Sequence, residues 1–256
     1  MKSNKKITVM IQARTGSTRF PRKTLAKIEN KPMIWHIINR VKKIKSIDQI
    51  ALITTRKKTD KILLKIAEKN NIFGFTGDTH DLLNRHYQCA LKLDADPIIR
   101  ITSDCPLTDP QLVEKILQFY LNHNYDYVTN TISPTYPDGL DVEIFSFSAL
   151  KRANRYATLR SEREHVFPYF TKNPKRFKLY NYENKTDLSY LRWTVDQKED
   201  LKFVKEIYSR MKPKTIFYMK DVLKLLKKEP KLLTINKGIK RNEGFAKTLK
   251  YDRKMK

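Results

Sequence analysis

Apolar residues come in two alternating patterns through the first 122 positions of the chain. Short runs almost free of charge have the length and β-branched content of buried strands: ITVMIQA (7–13), QIALITT (49–55), IFGFTG (72–77) and PIIRIT (97–102). Between them the spacing becomes that of one helix face. Ile34, Ile37, Ile38 and Val41 predict a helix over 31–44 with Pro32 near its start. Ile62, Leu63, Ile66 and Ala67 predict a second, capped by Thr59, and a third covers about 79–93. A fourth opens at Asp109-Pro110 and carries Leu112, Val113, Ile116, Leu117 and Tyr120. Strand–helix units in series predict a parallel sheet with helices on both faces.

After about residue 123 the pattern is mixed. YDYVTN (125–130), LDVEIFSF (140–147), RFKLYNY (176–182) and LRWTV (191–195) predict strands, the first two joined by the turn-rich TISPTYPDG. Helices are predicted near 148–155, 161–172, 197–210 and 220–228, followed by a basic tail. With no internal repeat and no linker, residues 1–212 form one α/β unit with halves at about 1–122 and 123–212, and 213–256 complete it as a C-terminal helix and tail.

Composition changes this picture little. A net charge of +26 raises a basic nucleic-acid-binding protein as one alternative. Lysine is nevertheless spread over nearly every segment, and the aromatics fall at core spacing, so no specific nucleic acid is expected as partner. No apolar run approaches a membrane span, so no membrane partner is expected either. Only Cys89 and Cys105 occur, in no metal-like spacing, which fits a cytoplasmic protein. The histidines show no zinc-type pairing, and the sequence has neither G-x-S-x-G nor G-x-G-x-x-G.

Open parallel sheets bind ligands beyond the carboxyl ends of their strands. There the first strand is followed by ARTGSTRFPRK, in which Gly16, Ser17 and Thr18 make a small-residue turn. Such turns expose backbone N–H groups to phosphate oxygens, and Arg14, Arg19 and Lys23 add the charge a triphosphate needs. It is not a Walker loop. Asp104 follows the fourth strand and Asp196 follows LRWTV; the two could share a Mg²⁺ that also takes phosphate oxygens, or Asp196 could cap the next helix.

The stretch IQARTGSTRFPRK resembles the signature of nucleotide-sugar cytidylyltransferases, in particular the SpsF-like group of spore-coat and surface polysaccharide synthesis, related to the Kdo and acylneuraminate cytidylyltransferases. DLLNRHYQCA, RITSDCPLTDP, YDYVTN, TYPDGLDVEIFS, EREHVFPYF, LRWTVDQKEDL and IKRNEGF are similar to that group in the same order, over nearly the whole chain. The resemblance implies a Rossmann-like, GT-A-like nucleotidyltransferase fold, CTP as donor, a sugar or sugar-acid acceptor and Mg²⁺ as cofactor. It puts Ala13, Arg14, Gly16, Ser17, Arg19 and Lys23 on the phosphate loop, Asp104 and Asp196 at the metal, and Arg85 near the nucleotide. Arg14, Lys23, Asp104 and Asp196 are the expected catalytic groups; Tyr136, Asp141, Glu143, Arg163 and His165 are the expected acceptor contacts. On this view 1–122 is the nucleotide half and 123–212 the acceptor half. Arg22 stands where the group usually has Gly, Ser103 replaces the Gly before the metal aspartate, and Lys198 replaces a Pro. A glycosyltransferase using a nucleotide-sugar donor is the rival among enzymes. The sequence leaves the acceptor and the oligomeric state open, a homodimer included.

Overall fold

Strand β1 (Lys6–Gln12) is buried on both sides, which is why its sequence is apolar without alternation. Val9 and Ile11 join one core with α1 (Met33–Val41), α2 (Lys61–Lys69), α4 (Pro110–Leu121) and α8 (Lys198–Arg210). Met10 faces the other, with α3 (Leu82–Leu93), α5 (Phe147–Tyr156) and α7 (Phe167–Lys172). The chain is seen as a computed structural model that describes residues 5–17, 19–239, 241 and 243–255; Thr18 of the small-residue turn lies outside them.

On either side of β1 lie β4 (Gln49–Thr55) and β6 (Ala95–Thr102), with Val9 opposite Ile50 and Ile99. β5 (Phe73–Gly77), β7 (Tyr127–Thr129), β8 (Glu143–Phe145) and β9 (Leu179–Asn181) complete a seven-stranded sheet of order β5-β4-β1-β6-β8-β7-β9. Only β8 runs against the rest. The predicted α/β class and mostly parallel sheet are what the structure has.

Five local expectations change, the first being that Thr59 does not cap α2, whose N-cap residue is Asp60. Lys31–Pro32 is a short strand, β3, pairing with β2 (Lys27–Ile28), so α1 begins only at Met33. The helix predicted over 161–172 is broken by Val166 (φ 69°) into α6 (Arg160–His165) and α7. LRWTV forms no strand; a single bridge joins Arg192 to Asp138. The basic tail is ordered as α10 (Glu243–Lys250), following α9 (Met219–Lys228). It is tied to α6 by Arg160 N–H donating to Arg253 O (2.8 Å) and the Ser161 hydroxyl to Asp252 (2.6 Å).

Gly139 lets the 137–141 turn pass close beside the 193–196 segment. Its φ is +107°, and an added Cβ would lie 2.5 Å from Thr194 N and 2.7 Å from Trp193 C. Both obstacles are backbone and cannot rotate away. Gly139→Ala should therefore cost about 2 kcal/mol or more in a urea unfolding titration. A cost below about 0.5 kcal/mol would contradict this packing.

Candidate active site

The polar ends of β1 and β6 open into a cavity of about 620 Å³. Its walls include Ala13, Arg14, Gly16, Ser17, Arg19 and Lys23, the 102–105 turn, Asp138, Asp141 and Glu143, Thr194 and Asp196, parts of α6, and Arg241, Gly244, Phe245 and Thr248.

Lys23 ties three of these walls together. Its ammonium donates to Asp196 Oδ1 (2.7 Å), Asp104 Oδ2 (3.0 Å) and the Val195 carbonyl (2.9 Å). Burial works to discharge this lysine, but Asp104 and Asp196 more than offset it and raise its pKa. Burial likewise pushes the Asp104 carboxyl up, yet Lys23 and the Thr102 hydroxyl hold it down at about 2. Asp196 also meets Arg19 (2.8 Å) and Arg192 (3.4 Å). It does not cap α8: Asp200 does, accepting from the backbone N–H of Asp196 and Gln197.

The phosphate-type loop is held from beneath by a residue not anticipated from sequence. Asp60 accepts from Thr15 N–H (2.8 Å), the Thr15 hydroxyl (2.6 Å) and the Thr55 hydroxyl. The loop offers fewer free amides than expected, because Ser17 and Arg22 both donate theirs to the Thr15 carbonyl (3.0 Å each). Arg22 sits in the left-handed region (φ 58°). Glycine adopts that conformation without strain, which accounts for the glycine usual here in the similar group.

Ala13, Arg14, Gly16, Ser17, Arg19 and Lys23 all line the cavity, with Arg14 exposed. Arg85 also lines it, but its guanidinium is engaged by the Asp78 and Thr79 carbonyls; burial and nearby Arg14 push its pKa down to about 10. It shapes the 78–79 edge.

The acceptor candidates divide. Asp141, Glu143 and His165 line the cavity. Glu143 pairs with Arg100 and accepts from the Tyr127 hydroxyl (2.9 Å); His165 meets the Thr248 hydroxyl (2.9 Å). Tyr136 does not face it: at 4% exposure it packs in the core, and burial lifts its phenol to about 12. Arg163 does not face it either, since its donors go to Asp81, Asn154 and the Ala157 carbonyl, tying α6 to α3 and α5. Both expectations failed because a polar group beside a turn can equally brace the scaffold.

Sequence reasoning missed Asp138, Arg192 and Arg241. Arg192 grips Asp138 (2.9 Å) and Asp200 (2.9 Å), and Arg241 donates to Asp141 (2.7 Å). Asp138, Arg192 and Arg241 lie inside quoted motifs, the one signal available. Burial and the neighbouring Asp141 raise Asp138 to about 7 against the pull of Arg241 and Arg192.

A mostly parallel sheet with one reversed strand thus carries a cationic loop after β1 and two carboxylates beside it. The family model described as Cytidylyltransferase matches residues 8–241, and the chain belongs to that family. It is 27% identical to the spore coat polysaccharide biosynthesis protein SpsF of Bacillus subtilis over 89% of this chain and 97% of that one. It is 33% identical to the 3-deoxy-manno-octulosonate cytidylyltransferase of Geobacter metallireducens, over 44% of this chain and 43% of that one. Among solved structures, a cytidylyltransferase from Leptospira borgpetersenii superposes with a TM-score of 0.88 at 31% identity, covering 93% of this chain and all of that one.

Three predictions follow from the loop and from two histidines, His86 in the core and His165 at the cavity wall. Replacing Asp60 by Ala strands the Thr15 and Thr55 donors and should cost about 2–3 kcal/mol of unfolding free energy. Arg22→Gly should instead gain up to about 1 kcal/mol by removing left-handed strain. Burial lowers His165 to about 4 and His86 to about 3 from an ordinary 6.5. Both stay neutral when folded while the unfolded chain takes up protons below about 6.5, so stability present at pH 7 drains away as pH falls toward 4. The expected slope is at most about 1.4 kcal/mol per pH unit for each histidine, and His165→Gln should flatten it. Denaturant midpoints across that pH range are the measurement.

Proposed function

We propose that the chain is a CTP-dependent cytidylyltransferase that activates a sugar acid or related sugar, giving a CMP-sugar and pyrophosphate for surface polysaccharide synthesis. The reading rests on family membership and on the names of the relatives above, and one geometric observation carries it. Lys23, Arg19, Asp104 and Asp196 meet in a single cluster, with Arg14 lining the same cavity.

The acceptor hydroxyl attacks the α-phosphorus and pyrophosphate leaves. Such transfers need positioning and charge neutralisation more than covalent help from the protein. Arg14 is exposed at the loop and available to a phosphate oxygen. Arg19 reaches one by leaving Asp196 (2.8 Å) and Glu243 (3.2 Å). Asp104 and Asp196 fit a Mg²⁺: both already turn an oxygen to one cation, and this ion characteristically takes one or two carboxylates with phosphate and water. When bound, Mg²⁺ would neutralise phosphate charge and acidify a coordinated hydroxyl. Among the described residues no cluster of three or more His, Cys, Asp or Glu offers an all-protein cage.

Pyrophosphate release from CTP or UTP with a panel of sugar acids and sugar phosphates tests the activity. Free nucleoside phosphates in place of pyrophosphate would indicate glycosyl transfer instead. Asp104→Asn should lower turnover about 10²–10³-fold with the fold intact; near-normal turnover would remove Asp104 from the reaction. Arg14→Ala should weaken CTP more than cytidine, because only the phosphates lose a partner. Lys23→Ala is a less selective probe, since it also leaves Asp104 and Asp196 without their shared cation.

A further inference from the structure

The two aspartates proposed for Mg²⁺ already hold a cation of the chain's own. Lys23 Nζ lies 2.7 Å from Asp196 Oδ1 and 3.0 Å from Asp104 Oδ2, and donates to the Val195 carbonyl at 2.9 Å. Magnesium draws its oxygens in to about 2.0–2.1 Å, so an ion shared by these two needs the point where the ammonium sits. The other oxygens offer no easy alternative. Asp196 Oδ1 also meets Arg19 (2.8 Å), its Oδ2 faces Arg192 (3.4 Å), and Asp104 Oδ1 faces the Cys105 thiol (3.6 Å). At this range, and with the lysine side chain only 11% exposed, a divalent ion and an ammonium repel strongly.

We infer that Lys23 is a placeholder cation: it keeps the metal off Asp104 and Asp196 until the nucleotide's phosphates draw it away, so that metal and nucleotide enter together. The loop supplies the reason for this coupling. Lys23 and Arg19 both belong to the cationic segment after β1, and both reach the same oxygen, Asp196 Oδ1. Phosphate oxygens compete as acceptors for both groups, and each cation that turns to a phosphate releases that carboxylate. The metal then replaces the charge the aspartates have lost, and the two carboxylates are never left to repel one another. Glu243 stands in a matching position on the other side of Arg19, as a carboxylate (3.2 Å) that a phosphate oxygen must displace. The site is thus closed on itself by ion pairs, which incoming charges of the same signs have to exchange.

The inference rests on the proposed assignment of Asp104 and Asp196 to the metal, and the experiment separates the two. Mn²⁺, which takes the same oxygen donors as Mg²⁺, is titrated by calorimetry into the full-length protein without nucleotide. The proteins are wild type, Lys23→Gln, Asp104→Asn and the double variant. Glutamine keeps an amide N–H for the carboxylates while removing the charge. Lys23→Gln should bind Mn²⁺ about 10–100-fold more tightly than wild type, and Asp104→Asn should cancel the gain. At saturating CTP the gap between wild type and Lys23→Gln should close, because the phosphates have then removed the ammonium; chelation of Mn²⁺ by CTP itself is common to both. Wild type also gives a reading that needs no variant. Peptide mass spectrometry after brief acetylation should find Lys23 protected without metal and several-fold more reactive at saturating Mn²⁺. Equal Mn²⁺ affinities in wild type and Lys23→Gln, weaker binding in the variant, or a lysine still protected at saturating metal would each overturn the placeholder role. A gap unchanged by CTP overturns the coupling to the nucleotide. If the gain survives Asp104→Asn, the ion binds elsewhere, and the metal assignment falls together with the inference. Pyrophosphate release from CTP by wild type decides the cytidylyltransferase reading separately, whichever way the titrations fall.

Discussion

The site depends on one ammonium group. Lys23 stands 81 residues from Asp104 and 173 from Asp196, and its three bonds bring the β1 loop, the β6 turn and the 193–196 segment to a common point. Burying a lysine to 11% side-chain exposure is unfavourable unless its charge is matched, and here two carboxylates and a carbonyl match it. The relation is mutual, because the two aspartates would repel each other without the cation. Main-chain bonds brace the same junction: Val195 N–H and the Thr194 hydroxyl both donate to the Asp104 carbonyl (2.8 and 3.2 Å). The 191–196 segment is thus held in place without belonging to the sheet.

The large positive charge and this acidic junction are compatible. Most of the described lysines are exposed, where they raise the potential around the molecule and favour the approach of a polyanion. Asp and Glu are half as many as Lys and Arg together, 27 against 53, so their gathering along one cavity wall is the more informative feature. Asp104, Asp138, Asp141, Glu143 and Asp196 all line it, each countered by Lys23, Arg19, Arg100, Arg192 or Arg241. A wall of paired charges holds its polar atoms in fixed positions, and preorganised groups of this kind are what transfer chemistry requires.

Most of the fold up to about residue 122 was legible in the chain because its strands are buried on both faces and its helices are amphipathic. Asp109 illustrates this: it caps α4 through Gln111 and Leu112 N–H (2.8 and 3.3 Å), as its place before Pro110 predicts. The failures have a common cause, which is tertiary bonding without a local pattern. Arg40 reads as a polar position on α1, yet it is 1% exposed and donates to the Thr108 and Phe217 carbonyls. Trp193 and Val195 alternate like strand residues because they fill the core from an irregular segment. Tyr136 and Arg163 sit beside polar turns, and only the packing decides that they brace the scaffold. Arg241 is separated from Asp141 by 100 residues, a distance over which periodicity carries no information.

The reversed strand explains why the two halves share one cavity. In a wholly parallel sheet every strand would leave its carboxyl end at the ligand edge, and the segment preceding each strand would lie at the far side. β8 enters at the edge where β1 and β6 finish, with Glu143 opposite Arg100 near the end of β6. The residues before it, Asp138 to Val142, are therefore delivered to the same edge as Asp104. Gly139 then permits the close approach that sets Asp138 against Arg192 (2.9 Å). Lys23 and Asp104 come from chain leaving the sheet, and Asp138 and Asp141 from chain entering it. The C-terminal segment adds a third contribution, with Arg241 on Asp141 and Glu243 on Arg19 of the loop. One short stretch thereby contacts both the loop after β1 and the segment before β8.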